Sequence, residues 1–312
     1  MNLRFVCIKL LRALVTVLIV LTFVFVVLRM SGDPIDSLVG DDAPPDVVEY
    51  YRAKYGLDLP IHEQYIRYFQ GIAQGDMGRS FKDERDAVEV VMERVPKTLQ
   101  LGLVSFAVSL LIGIPLGVLA ALNRNTALDR FTMGFAVFGY SIPNFFLGIV
   151  LILGFAMWLR LLPSSGSGSL AHMIMPVITL GTAGAGSLAR FARSSMLEVL
   201  NKSYMRAATA KGVPWFRRIS WHALPNAAIP IVTIIGFRLG DLIAGSVVTE
   251  TVFAWPGVGR LLVTSVGSRD LAIVQTILIV VALTMVVANL LVDLIYGWVD
   301  PRIRISSALD ED

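Results

Sequence analysis

At 312 residues, 55% hydrophobic and only 16% charged with a formal net charge of +3, the chain lies far from a soluble domain, in which charged residues make up about a quarter. That excludes a water-soluble catalytic domain and leaves an integral membrane protein. The lone Cys7 excludes an internal disulfide, and no nucleic-acid partner is expected.

A helix needs roughly 20 mostly apolar residues to cross a bilayer, and six blocks meet that length. The first, residues 10–28, follows Arg4, Lys9 and Arg12. Its apolar run is too long for a signal-peptide core and no small-residue cleavage site follows, so it reads as a retained span. Residues 31–97 are too polar to span. Two short helices are expected there, at 46–55 and 62–72, the second with an apolar side of Tyr65, Ile66, Tyr68 and Phe69; Pro44, Pro45 and the glycines at 71, 75 and 78 punctuate the segment. A small extracytoplasmic insertion is the expected outcome. The remaining spans fall at 99–122, 131–159, 173–192, 227–248 and 271–298, before a polar tail at 301–312. The organisation is then an N-terminal helix at 1–30, an insertion at 31–97, a five-span core at 98–300 and the tail. Blocks this continuous must be helices, since a lipid-exposed segment has to pair its own backbone groups. Gly113 with Gly117, and Gly236 with Gly240, have the spacing that lets membrane helices approach closely.

Between the fourth and fifth spans lies a basic amphipathic segment, residues 203–230. Ala207, Ala208 and Ala210 write a first short helix, which Gly212 stops with Lys211 in its last turn. Pro214 suits the opening of a second helix, which carries Trp215, Phe216, Ile219 and Leu224 beside Arg217 and Arg218, and Pro225 is expected to end it. By composition alone, the segment could be a helix pair resting on anionic lipid.

Lysine and arginine in the connections set the orientation. The N-terminus, the second-to-third connection, residues 190–218 and the tail are the basic ones, and with six spans all four fall on one side. Both termini and the 203–230 segment are therefore expected in the cytoplasm. Charges inside spans are costly. Arg238 and Asp241 can meet on one face of the fifth span, and Asn289 and Asp293 on the sixth. Each pair either fixes helix packing or lines a substrate path. His62, His172 and His222 are scattered, so no metal site is expected. There is no phosphate-binding loop either, so no cofactor is expected on this chain, and any nucleotide must be bound by another.

Arg206-Ala207-Ala208, then Gly212, then His222-Ala223-Leu224-Pro225 match the spacing of the EAA loop of binding-protein-dependent ABC importer permeases, E-A-A-x3-G-x9-I-x-L-P, with arginine for the glutamate and histidine for the isoleucine. RAATAKG, HALPNA, ETVFAWPGVGRLL and the closing DPRIR, with YGLDLPIHEQY, GDMGRS and IPLGVLAAL upstream, resemble the dipeptide, oligopeptide and nickel permease family, in its first or B-type subunit. The resemblance covers almost the whole chain. It implies an all-α integral membrane fold of the type I ABC importer (MetI-like) kind, with six transmembrane helices and an insertion after the first. It further implies a coupling loop at 195–225 that docks on a cytoplasmic ATPase through Tyr204, Arg206, Ala207, Ala208, Ala210, Lys211, Gly212, His222, Leu224 and Pro225.

The implied partners are a homologous second permease forming a heterodimer, two ATP-binding subunits that hold ATP and magnesium, and a periplasmic substrate-binding protein. That protein would dock near Glu250, Trp255, Pro256 and Gly257. The implied setting is the bacterial inner membrane, and the implied role is a transporter subunit, not an enzyme. Di- or oligopeptides are the expected cargo, with nickel chelates, glutathione, opines or sugars as alternatives. Arg238, Asp241 and Asn289 are the candidate pathway residues. A proton-coupled secondary transporter using Asp241 or Asp293 is the alternative of a different class.

Overall fold

The computed structural model describes residues 3–30, 43–82, 84–244 and 246–299, with Ile35 and Val39. In chain order the helices are α1 (Leu3–Met30), α2 (Pro45–Lys54), α3 (Ile61–Gln74), α4 (Ala87–Leu122), α5 (Ala127–Ser141) and α6 (Asn144–Leu151), which runs on as the π-helix Ile152–Trp158. They continue with α7 (Ala171–Leu200), α8 (Ser203–Ala210), α9 (Leu224–Ala244), α10 (Val247–Val252), α11 (Val258–Gly267) and α12 (Leu271–Val299). Among the described residues, β pairing is confined to an isolated bridge between Arg79 and Asp86. Among the described residues, four stretches are long and apolar enough to cross a bilayer: Ala87–Leu122, Ala171–Leu200, Trp215–Gly236 and Leu271–Leu290. The α5–α6 pair makes a fifth if counted as one span, and α1 carries a shorter apolar run at Leu11–Val27. The closing DPRIR segment and the tail lie outside the described residues.

The chain divides into two compact units, Met1–Thr98 with Pro256–Val286, and Leu99–Trp255 with Val287–Asp312. In the first, both short helices expected in the 31–97 segment are present as α2 and α3. The aromatic side of α3 lies on α1: Tyr65 shares a 2.9 Å hydrogen bond with the Thr22 hydroxyl, the Tyr68 hydroxyl donates to the Leu21 carbonyl at 3.2 Å, and both rings pack on Phe25. Ile66, read from the sequence as part of that side, is exposed. Asp270 ties a loop to the start of α12 by accepting from the Ser80 hydroxyl at 2.5 Å and the Phe81 N–H at 3.2 Å. Val24 and Val274 form a small apolar cluster with Leu262 and Leu278 beside them.

The second unit is organised around α7. Its face of Gly181, Gly184, Ala185, Gly186, Ala189 and Ala192 lets neighbours come to backbone contact, as expected where lipid gives helices no hydrophobic reason to associate and packing must do the work. Gly113 and Gly117 of α4 sit against Ala185 and Ala189, and Gly139 of α5 against Thr182. Polar links complete the contacts. Arg193 grips Asp129 with two hydrogen bonds, 2.5 and 2.8 Å, and the Ser195 hydroxyl donates to the Ala227 carbonyl of α9 at 2.9 Å. Asp129 is only 4% exposed while Arg193 is partly open to solvent, so removing either partner would loosen α5 from α7 and leave the other's charge poorly compensated.

Two expectations are corrected. The third span is not one straight helix over 131–159: it turns by 101° between α5 and α6. Ile142 is extended, φ −85° and ψ 123°, because the ring of Pro143 disfavours a helical residue before it. Pro225 does not end a helix either. The turn Trp215–Arg217 passes through the π-helix Arg218–Ala223 directly into α9. Proline lacks an N–H and clashes with the carbonyl four residues earlier; the wider π turn just before Pro225 accommodates both faults without breaking the helix.

The backbone contact between α4 and α7 makes a testable demand. A Cβ at Gly113 would lie 2.6 Å from the Ala185 carbonyl and 2.9 Å from the Leu188 Cβ. Gly113→Val should therefore cost about 1–3 kcal/mol and lower the thermal transition of the detergent-purified protein on a size-exclusion stability assay, whereas Gly134→Val, with open space around it, should leave the transition near wild type.

Candidate functional site

The basic segment after α7 folds as two helices at a tight turn. α8 ends as the Lys211 N–H donates to the Ala207 carbonyl at 3.0 Å and Val213 N–H to Ala208 at 3.1 Å. Gly212 stands between them at φ +73°, with nothing within 4 Å of where a Cβ would sit. It is glycine because the backbone is left-handed, not because space is short. Pro214 caps the second helix from outside it, with φ −55° and ψ 142°, one position earlier than the sequence suggested.

The inner face is apolar. Met205, Ile219, Ala223 and Ala227 are buried with Met196 and Val199 at the end of α7 and with Ala121 at the end of α4. An arginine hydrogen bond, Arg218 to the Thr209 hydroxyl, crosses from the second helix to the first. Tyr204, Arg206, Ala207, Ala210, Lys211 and Gly212 are exposed, as are His222, Leu224 and Pro225 farther along, while Ala208 is half-buried. Trp215 and Phe216 join that outer surface, Phe216 being 71% exposed. Exposed aromatics beside arginines, over a buried methionine and isoleucine, make a rigid platform with a contact surface on one side. A cavity of about 140 Å³ opens between the two helices, lined by Met205, Arg206, Thr209, Trp215, Arg218 and Ile219. The inner anchors Met205, Ile219 and Ala223 went unmarked as functional in the sequence. Their spacing around Gly212 was visible, but which face of each helix met α7 was not.

Arg238, on α9, lines a second cavity of about 230 Å³ with Ser105, Phe106 and Ser109 of α4, Asn144 of α6 and Gly184 of α7. Of the other pathway candidates, Asn289 is exposed on α12 and does not line this cavity, and the side chains of Asp241 and Asp293 lie outside the described residues.

The residues expected to meet a docking protein are mostly interior. Glu250 is fully buried and accepts from the Ser246 hydroxyl at 2.9 Å. Trp255 is 1% exposed in a cluster with Leu101, Met173 and Val177. Gly257 is buried, Pro256 is half-buried, and the Val258 N–H donates to the buried Thr98 hydroxyl at 2.8 Å. A contact made directly by Glu250, Trp255 or Gly257 is therefore corrected. A large ring and a carboxylate held by a serine pack the inside of this connection rather than its surface.

Comparisons with known proteins agree with one another. Residues 113–305 match the family model described as binding-protein-dependent transport system inner membrane component, and residues 2–102 match the N-terminal membrane component of the same systems. The glutathione transport system permease protein GsiC of Salmonella paratyphi A is 41% identical over 303 residues, 97% of this chain and 99% of that protein. GsiC of Escherichia coli K12 is 40% identical over the same extent. Among solved structures, the inward-facing MetNI methionine ABC transporter superposes with a TM-score of 0.57 at 22% identity, over 68% of this chain and 96% of the other, a likeness of fold.

The turn at Gly212 can be tested in isolation from packing. A left-handed β-branched residue costs about 1–2 kcal/mol, so Gly212→Val should raise the open population of the segment by about 5–30-fold and speed tryptic cleavage after Arg206 and Arg217 correspondingly. Gly212→Asn, which tolerates φ > 0, should stay within about threefold of wild type.

Proposed function

This chain belongs to the family of binding-protein-dependent transport system inner membrane components, and from that premise we propose that it carries short peptides, glutathione foremost, driven through the segment 203–225. It is the permease subunit of an ABC importer; it is not an enzyme, and ATP is hydrolysed on separate subunits. Permeases of this family work with a partner permease, ATPase subunits and a substrate-binding protein. That assignment replaces a proton-coupled secondary transporter as the machine.

The observation that carries the substrate reading is the 41% identity, across 97% of the chain, to a permease named for glutathione transport. Glutathione stood among the alternatives to the di- and oligopeptide cargo suggested by the sequence motifs, and as a tripeptide it is chemically close to that class. The finer assembly is part of the proposal: a heterodimer with a second permease, two ATPases below, and six spans counting α1 and the bent α5–α6 pair. Both termini face the cytoplasm of a bacterial inner membrane. The domain limits are 1–30, 31–97, 98–300 and 301–312. The positive connections support that orientation.

Within the coupling segment, Tyr204, Arg206, Ala207, Ala208, Ala210, Lys211 and Gly212 contact the ATPase, and His222, Leu224 and Pro225 belong to the lever behind them. The exposed face of α8 and the anchoring of its inner face on α7 support this, because a platform held against a spanning helix transmits displacement where a loose loop would not. Binding-protein docking falls on the outer surface near Pro256, with the buried Glu250, Trp255 and Gly257 as its scaffold.

The experiment is reconstitution of the complete complex in proteoliposomes with its binding protein. The wild type should co-purify with ATPase chains and accumulate labelled glutathione only with ATP. Ala207→Glu, which puts an unpaired carboxylate into the contact, should reduce co-purification at least about tenfold, the loss expected for a contact worth about 1.4 kcal/mol or more. Glutathione uptake by this chain without ATPases, or ATP-driven complexes that ignore every peptide offered, would overturn the reading.

A further inference from the structure

The α5–α6 break does more than bend a span. It creates a helix N-terminus inside the second unit, at Asn144, on the wall of the 230 Å³ cavity. Pro143 caps it with no side-chain hydrogen bond, and the first backbone N–H of α6 to be taken up by the turn is that of Leu147, donating to the Pro143 carbonyl at 3.1 Å. The N–H groups at the very start of a helix have no intrahelical partner and carry the positive end of its dipole.

Two further features face the same space. Arg238 lines it from α9 and makes no ion pair with any described residue. An arginine within a span costs several kcal/mol unless something compensates it. Ser105 lines it from α4. It is 4% exposed, yet its hydroxyl has no hydrogen-bond partner. A serine in a helix normally donates back to the carbonyl four residues earlier, as Ser109 does here, donating to the Ser105 carbonyl at 2.8 Å. A guanidinium, an idle buried hydroxyl and a helix N-terminus thus converge from three elements on one small volume. The guanidinium and the helix N-terminus favour an anion, and the hydroxyl can donate to one.

We infer that this cavity is a carboxylate subsite on the transport path, in which Arg238 and the Ser105 hydroxyl, with the start of α6, receive a carboxyl group of the solute. The inference rests on the peptide reading above and names the part of the solute this chain holds. The subsite concerns the carboxyl end of the solute alone. A Cβ at Gly184 would run into the Ser109 hydroxyl, so α4 and α7 meet closely on this wall. Asp129 and Arg193 are consumed by each other and offer a solute nothing.

The test uses the reconstituted complex and three probes: glutathione and its two mono-amides, each blocked at one carboxyl, with binding protein added to saturation for each. In the wild type, one amide should be carried markedly more slowly than the free acid. Arg238→Gln should reduce that acid-to-amide uptake ratio at least about tenfold, the worth of a hydrogen bond to a charged group. Arg238→Lys should retain most of the preference, and Ser105→Ala should lower it about threefold. Ser105→Ala removes a hydroxyl with no partner, so it keeps the test alive if Arg238→Gln assembles poorly. Wild-type uptake with both ratios unmoved in Arg238→Gln and Ser105→Ala would overturn the subsite alone. A wild-type complex that carries none of the three probes would overturn the peptide reading, and the subsite with it.

Discussion

The close approach of α4 and α7 through glycine and alanine is the constraint on which the second unit depends. In lipid, two leucine-faced helices gain nothing by meeting, because the tails are as apolar as the side chains. Bringing backbones together restores an advantage through dispersion and weak polar contacts, and Gly113, Gly117, Gly184 and Ala189 are placed for that. With 30 residues, α7 is about 45 Å long. Its first turns pack Met173 and Val177 against Trp255; its last turns pack Met196 and Val199 against Met205 and Ile219. One helix therefore fixes the buried connection at one end and the coupling segment at the other.

Polar groups in this unit are either satisfied or left without a partner among the described residues. Asp129 has Arg193 on both oxygens and the Asn125 N–H as well at 2.9 Å. Glu250 has Ser246 among its partners, and the Ser195 hydroxyl has the Ala227 carbonyl. These groups are satisfied and hold elements together. Arg238 and Ser105 are neither satisfied nor removed from the cavity. A buried hydroxyl without a partner costs roughly 1–3 kcal/mol; Thr132 and Thr249 carry the same cost elsewhere, and what sets Ser105 apart is that it lines the cavity with Arg238, which has no ion-pair partner among the described residues.

Much of this architecture was legible in residue order. Apolar block length marked four of the six expected spans and a fifth as a bent pair, Pro44 and the glycines framed α2 and α3, and the alanines before Gly212 wrote α8. Spacing from Arg206 through Gly212 to Pro225 identified the family that the comparisons then established. Prolines were read less well, because the same residue has different consequences in different company. Pro143 breaks its span, Pro176 lies within α7 and Pro225 is absorbed by a π turn. A proline forbids one hydrogen bond, and the tertiary surroundings decide whether the helix bends, widens or stops. Trp255 and Glu250 misled for a related reason. An aromatic and an acid in a polar-looking connection read as surface, whereas the connection folds inward and buries both. Ser105 gave no signal at all, since an idle hydroxyl is a fact of packing that sequence does not carry.

The π turn at Arg218–Ala223 changes how the coupling segment has to be understood. Had Pro225 ended the second helix, movement at α8 would reach the membrane through a joint and be dissipated there. As folded, the backbone runs without a break from Trp215 through the π turn into α9, and the Ser195 hydroxyl on the Ala227 carbonyl ties its first turns to α7. The chain thus runs as one helix from Trp215 to Arg238, which stands about four turns above the start of α9 at Leu224 at roughly 3.6 residues per turn. The exposed surface at the Gly212 turn and the cavity at Arg238 are joined by one continuous helix. For the proposed coupling role that continuity matters, because a push is transmitted only as stiffly as the turn where it is applied.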